Sequence, residues 1–249
     1  QSIDVIYSYG VGNNSEFEAM FCEKYGAIAR LYDHTVDSCA IKKNFFYFKK
    51  EGLGTEQTEQ LNTIENHLNE NGDNGKRLIL QMDIEGAEWD ALASTPDSVL
   101  DLFDQMVIEF HGLGTELSGS PIEKKIRTTK KINDLFYLYH VHANNAAGFY
   151  YIDWFKVPDV LELTFVNKKI FKHAAHSKVI FPTKFDRPND KNRKDTELHF
   201  WPFYPGIIVH SASIIRCNGW KSWKDIIRVI LNQTKNNLRT IRTLIGLRS

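Results

Sequence analysis

The sequence predicts an α/β domain on a doubly wound, mostly parallel sheet with helices on both faces, followed by a C-terminal helical extension. Three observations carry this reading. Apolar runs of strand length alternate with segments whose apolar residues recur at helical spacing. The first run ends in a glycine turn that leads into a helix. Later runs end in Asp33, Asp83 and His111, at the carboxyl ends of strands, where open parallel sheets bind ligands.

Taken in order, Ile3 to Ser8 reads as a buried strand, Gly10 and Gly12 as its turn, and Ser15 to Tyr25 as a helix with Phe17, Met20, Phe21 and Tyr25 on its apolar face. Ala27 to Tyr32 and Asn44 to Lys49 are strands, and Glu56 to Asn69 is a helix running into the turn Asn71-Gly72-Asp73-Asn74-Gly75. Arg77 to Met82 and Gln105 to Phe110 are strands flanking a short helix over Glu88 to Ala93. Ile122 to Leu135 is a helix, and Phe136 to His142 and Val160 to Asn167 complete the sheet.

At 249 residues and 42% hydrophobic content, the chain can bury one substantial core. Residues 1–216 form that domain, with a Pro-rich, aromatic loop at 185–205 that is a candidate lid. Residues 217–249 read as an amphipathic helix carrying seven Lys or Arg against one acid, Asp225. Such a helix packs on the domain, on a second copy, or on an acidic membrane surface. The 31 basic residues cancel the 31 acidic ones, so no overall field recruits nucleic acid. Cys22, Cys39 and Cys217 form no C-x-x-C pair, and no apolar run is long enough to span a bilayer. A cytoplasmic location is the expectation.

The run Tyr7-Ser8-Tyr9-Gly10-Val11-Gly12-Asn13-Asn14-Ser15 joins strand to helix, where small residues let backbone approach a ligand. Asp33 follows about 20 residues later, placed to accept hydrogen bonds from ribose hydroxyls. Ser15 stands where a dinucleotide fingerprint has its third glycine, so no pyrophosphate need be held. The pattern favours a nucleoside-bearing ligand without a diphosphate, S-adenosylmethionine being the common one on this architecture. It disfavours a dehydrogenase.

Asp83, His111 and His142 all lie at strand ends and are expected to converge on one rim of the sheet, as candidate catalytic residues. An imidazole or carboxylate there can remove a proton from an acceptor. Alternatively Asp83, Glu109, His111 and His142 bind a divalent metal, Mg or Mn, that acidifies the acceptor hydroxyl. A purely structural role for the histidines is the third possibility. Glu85, Asn144 and Asn145 are candidate contacts to a hydroxyl-rich acceptor, although Glu85 and Glu88 also suit a turn and helix cap, and the asparagines suit turns.

The run Met82-Asp83-Ile84-Glu85-Gly86-Ala87-Glu88 resembles the hallmark of FkbM-type methyltransferases, usually written Asp-(Val/Ile)-Glu-Gly-(Ala/Phe)-Glu. The segment Tyr7 to Asn13 is similar to the cofactor motif of a related branch, and the resemblance spans about residues 3 to 170. It implies a class I, Rossmann-like methyltransferase fold, S-adenosylmethionine as cofactor, and an O-methyl acceptor on a sugar or other small molecule. Carried over, Ser8, Tyr9, Gly10, Gly12 and Asn14 line the cofactor, Asp33 holds the ribose with His34 beside it, the Gly52-Leu53-Gly54 turn sits near the adenine, and Asp83 faces the methionine end. One position departs: Ser8 stands where many methyltransferases carry an acid. The competing expectations are a nitrogen or protein acceptor, and a non-catalytic binding module on the same fold.

Overall fold

The computed structural model describes residues 2–115, 119–152, 155–172, 179–200 and 203. The proposed helix at 217–249 and most of 201–205 lie outside these residues.

The chain begins with β1 (Val5–Tyr9), whose five residues are all buried, as expected of a strand covered on both faces. After the turn come α1 (Glu16–Tyr25), β2 (Ile28–Tyr32) and β3 (Phe46–Lys49). Two short strands, β4 (Gly52–Leu53) and β5 (Leu61–Asn62), pair in parallel before α2 (Ile64–Asn71). Next are β6 (Leu78–Met82), α3 (Glu88–Ser94), α4 (Asp97–Leu100) and β7 (Phe103–Phe110). The remainder is α5 (Gly119–Leu135), β8 (Phe136–Ala143), the hairpin β9 (Phe149–Ile152) and β10 (Phe155–Pro158), and β11 (Leu161–Asn167).

The main sheet has seven strands in the order β3-β2-β1-β6-β7-β11-β8. Its first five are parallel, and β11 runs antiparallel to both β7 and β8. This is the doubly wound, mostly parallel sheet of a class I, Rossmann-like fold. The winding direction reverses between β1 and β6, so a crevice opens at their carboxyl ends. One face carries Tyr7, Tyr9, Leu80, Met82, Phe103 and Ile108 in a core with Ile64 and Leu68 of α2 and Trp89 and Leu92 of α3. The other carries Ile6, Ala29, Leu31 and Ile79 against Cys22 of α1, with Val11 and Cys39.

The structure shortens one expected helix. Glu56 to Asn62 is not helical, because Thr63 takes an extended backbone and its hydroxyl accepts a hydrogen bond from Asn66 N, capping a helix that starts at Ile64. Strands β4 and β5, the helix α4 and the β9–β10 hairpin were not anticipated.

Candidate active site

The strand ladders continue past β1 and β2. Gly10 N donates to Tyr32 O and Asp83 N donates to Tyr9 O, each at 3.0 Å. Asp33, Gly10 and Asp83 therefore stand side by side at the carboxyl edge. On β7, Ile108 is opposite Met82, so Glu109 is the next neighbour of Asp83. Glu162 of β11 is in register with both Glu109 and His142. One polar row thus crosses six strands on one face: Asp33, Gly10, Asp83, Glu109, Glu162, His142.

The glycine turn approaches Asp83 closely. Gly10 has φ +81°, and a Cβ there would lie 1.7 Å from the Asp83 carbonyl oxygen, so no side chain fits. Gly12 has open space around it, and its N–H donates to Asp33 Oδ2 at 2.9 Å. Asp33 Oδ1 accepts from Thr35 N at 2.7 Å and Thr35 Oγ1 at 2.6 Å. Burial alone would raise the Asp33 pKa, but these donors hold it below the ordinary carboxylate value. Oδ1 accepts two hydrogen bonds, while Oδ2 accepts one and keeps a free lone pair. Ser15 Oγ is buried at the start of α1 with no hydrogen-bond partner among the described residues, an orphaned polar atom beneath the turn. At the position where an acid is absent, Ser8 Oγ donates to Glu18 Oε1 of α1 at 2.5 Å, and Glu18 is buried with a raised pKa, burial being the main cause.

Other cofactor-side residues play different parts. Tyr9 is fully buried in the core, with its hydroxyl 3.0 Å from His67 Nδ1, so only its backbone faces the crevice. Leu53 is likewise a core residue. Asn14 Oδ1 accepts from Glu16 N at the start of α1, and His34 packs against Gly52.

Beyond Asp83 the residues that gather are His111 and three glutamates. Glu88 is fully buried and its carboxylate knits the turn before α3, accepting from Ile84 N at 3.0 Å and from Gly86 N at 3.1 and 3.2 Å. Its Oε1 also lies 3.1 Å from His111 Nδ1. Trp89 Nε1 donates to His111 O at 2.8 Å, fixing the same segment from its backbone. His111 Nε2 then faces Glu85 Oε2 at 3.4 Å and Asp83 Oδ1 and Glu109 Oε1 at 3.9 Å each. Burial pushes Asp83 up to about 6, with Glu85 and Glu88 adding like charge. Burial likewise pushes Glu109 up to about 7, helped by Asp83 and Glu162 and opposed by Asn144. Burial works against charge on His111, but Glu88, Glu109 and Asp83 outweigh it and carry its pKa up to about 9. As it stands, the surrounding carboxylates favour the protonated form of His111.

Three expected site residues are employed elsewhere. His142 does not join Asp83 and His111: its ring lies 2.7 Å from Glu162 Oε2 and 3.0 Å from Asp195 Oδ1, and it is buried. It is therefore neither a base open to substrate nor part of the Asp83 donor group. Asn145 Oδ1 accepts from Asp190 N, and its Nδ2 donates to the carbonyls of Asp190, Arg193 and Lys194. Asn144 Nδ2 donates to Glu109 Oε1 at 2.7 Å, so it steadies a site carboxylate. His140, which lies 2.8 Å from Asp186 Oδ1, His142 and Asn145 together strap the 183–198 segment over β8 and β11. Sequence reasoning assigned no role to Glu18, Glu162 or Asp195. The alternation Leu161-Glu162-Leu163-Thr164, with one polar face, was the available signal for Glu162.

The Methyltransferase FkbM domain model matches residues 1–149, more than half of the chain. The protein belongs to the FkbM methyltransferase family. The FkbM match ends before β11, yet β11 sits between β7 and β8 in the sheet, so the FkbM fold here continues past the matched segment. No curated protein matches the chain significantly. No helix among the described residues is long and apolar enough to cross a membrane.

Proposed function

We propose that this protein is an S-adenosylmethionine-dependent O-methyltransferase acting on a hydroxyl of a sugar, glycan or related small molecule. The observation that carries the reading is the single polar row. It joins a nucleoside-type site, made by Gly10, Gly12 and Asp33, to the Asp83, Glu109 and His111 group without a break.

When bound, the sulfonium cofactor supplies an electrophilic methyl group. Everything else falls to the chain. Gly10 and Gly12 keep side chains out of the crevice, and Asp33 Oδ2 accepts from a ribose hydroxyl. Asp83 adjoins Gly10 and therefore borders the reacting end. A hydroxyl is a poor nucleophile until its proton is drawn away, and the Asp83–Glu109 carboxylates lie where an acceptor must enter to reach that end. An amine acceptor with a low pKa would need no such group, which favours a hydroxyl.

The test is calorimetric titration with S-adenosylmethionine and S-adenosylhomocysteine, on the native chain and on Asp33→Ala, with methyl transfer from labelled cofactor to a panel of sugars. Micromolar binding that Asp33→Ala abolishes supports the reading. Absence of binding to the native chain overturns it and leaves a non-catalytic module.

A further inference from the structure

We propose that Asp83, Glu85 and His111 form a binding site for a divalent cation of the manganese or magnesium class, at the acceptor end of the crevice. The inference deepens the reading of this site as the place of hydroxyl methylation, and rests on it for its chemical role.

The first observation is spacing. One ligand atom from each of the three residues lies within 4.8 Å of the others. From His111 Nε2 the carboxylate oxygens stand at 3.4 Å for Glu85 and 3.9 Å for Asp83, with Glu109 also at 3.9 Å. These distances are too long for hydrogen bonds, which end near 3.2 Å. Two ligands each about 2.1 Å from one ion stand about 3.0 Å apart at a right angle and about 3.4 Å apart at a tetrahedral angle. The Glu85 distance falls in that range, and a small closure brings in Asp83.

The second observation is independent of the spacing. Asp83 Oδ1 itself is shielded from solvent and has no hydrogen-bond partner among the described residues, although the Asp83 side chain is 35% exposed and its carboxyl also interacts with Glu109. A buried carboxylate oxygen left in this state costs about 1–3 kcal/mol, more when charged, and such atoms point to a missing partner. The unpartnered oxygen is the one that faces His111 Nε2.

The third is orientation. The fully buried Glu88 engages His111 Nδ1 at 3.1 Å, directing Nε2 toward the other carboxylates. A carboxylate behind an imidazole is the usual support for a metal-binding histidine, and binding a cation would release the Nε2 proton to solvent. Four carboxylates, Asp83, Glu85, Glu88 and Glu109, surround this one imidazole, so the local field attracts a dication. One nitrogen among carboxylate oxygens is a donor set that suits Mn²⁺, with Mg²⁺ as the oxygen-preferring alternative.

A cation here would bind the acceptor hydroxyl and lower its pKa. The hydroxyl proton passes to the Glu109 carboxylate, and the acceptor oxygen forms its bond to the methyl carbon. In that transfer the methyl–sulfur bond would break with its electron pair going to sulfur, which would leave as a neutral thioether. The cation is not consumed.

The experiment uses the chain freed of metal by chelation, titrated with Mn²⁺ while free Mn²⁺ is read by electron paramagnetic resonance and the imidazole signals are followed by NMR. One Mn²⁺ per chain is expected, with selective broadening of His111 and sparing of His67. Glu85 is 85% exposed, so Glu85→Gln should keep the fold and weaken Mn²⁺ binding at least about tenfold. Asp83→Asn, checked for folding by circular dichroism, should abolish it. Lack of saturable Mn²⁺ or Mg²⁺ binding, or binding unchanged in both variants, overturns the proposal. S-adenosylhomocysteine binding measured in EDTA separates the two readings. If it binds and Mn²⁺ does not, the cation site falls and the methyltransferase reading stands; if only Mn²⁺ binds, the cofactor reading falls.

Discussion

Glu88 is the residue whose loss should be felt most widely, because one buried carboxylate serves both the Asp83 turn and His111. In Glu88→Ala, Ile84 N–H and His111 Nδ1 lose their acceptor in a half-buried setting, at about 1–2 kcal/mol each. Gly86 lies in an exposed turn where water can replace the lost bonds, adding about 0.5 kcal/mol. Removing a charge from the first turn of α3 adds a similar amount. The sum is about 3–5 kcal/mol, a large part of a typical domain's stability of about 5–15 kcal/mol. Glu88→Gln retains an oxygen at the Oε1 position, which makes three of the four contacts, and should cost about 1 kcal/mol. Urea titration followed by tryptophan fluorescence measures both, since Trp89 donates its indole N–H to His111 O within the same segment. An alanine variant within 1 kcal/mol of the native chain, or a glutamine variant as damaged as the alanine one, would show that this carboxylate does not organise the turn.

The pH dependence of stability should carry a component from His142. Burial opposes its charge, but Glu162 and Asp195 raise its pKa from 6.5 to about 9, so its contribution is complete below about pH 6.5 and is lost as pH rises through 9. The difference between the native chain and His142→Gln should shrink by about 3 kcal/mol across that window; a constant difference refutes the pairing. The two turn glycines should part company. Gly10→Ala meets the Asp83 carbonyl and should cost about 3 kcal/mol, whereas Gly12→Ala costs about 1 kcal/mol yet weakens cofactor binding by filling the open approach; equal melting temperatures for the pair would refute this. Asn145→Ala should release the strap, so that trypsin cuts faster at Lys191, Arg193 and Lys194; unchanged digestion would mean that the segment is held by other contacts.

The parts of the fold that were legible in the sequence are those with a period or a punctuating residue. The largely apolar Val5–Tyr9 strand, closed by Gly10, and the Leu78–Met82 strand, closed by Asp83, both lie where their patterns put them. The two-residue strands β4 and β5 have no period to detect. The hairpin from Phe149 to Pro158 reads as an aromatic-rich run without a clear alternation. Of the candidate site residues, those carried by motifs, Gly10, Gly12, Asp33 and Asp83, are the ones that the structure brings together at the strand ends. His142 was misplaced because its strand position is right but its partners come from β11 and from a loop more than 50 residues away. Register between distant strands is not written in either strand alone.

That register explains why the site has the charge it has. The antiparallel β11, inserted between β7 and β8, brings Glu162 directly beside Glu109, and two carboxylates there repel. His142 and Asn189 take up Glu162 at 2.7 and 2.6 Å, and they hold its pKa below the ordinary value despite burial. Glu109, with Asn144 as a neutral donor, is left on the Asp83 side of the row. The strap and His142 therefore act at one remove from the crevice. They absorb the charge of the inserted strand, so that the negative field at the rim is focused on the Asp83, Glu85 and His111 group, where a cation or an acceptor hydroxyl would be met.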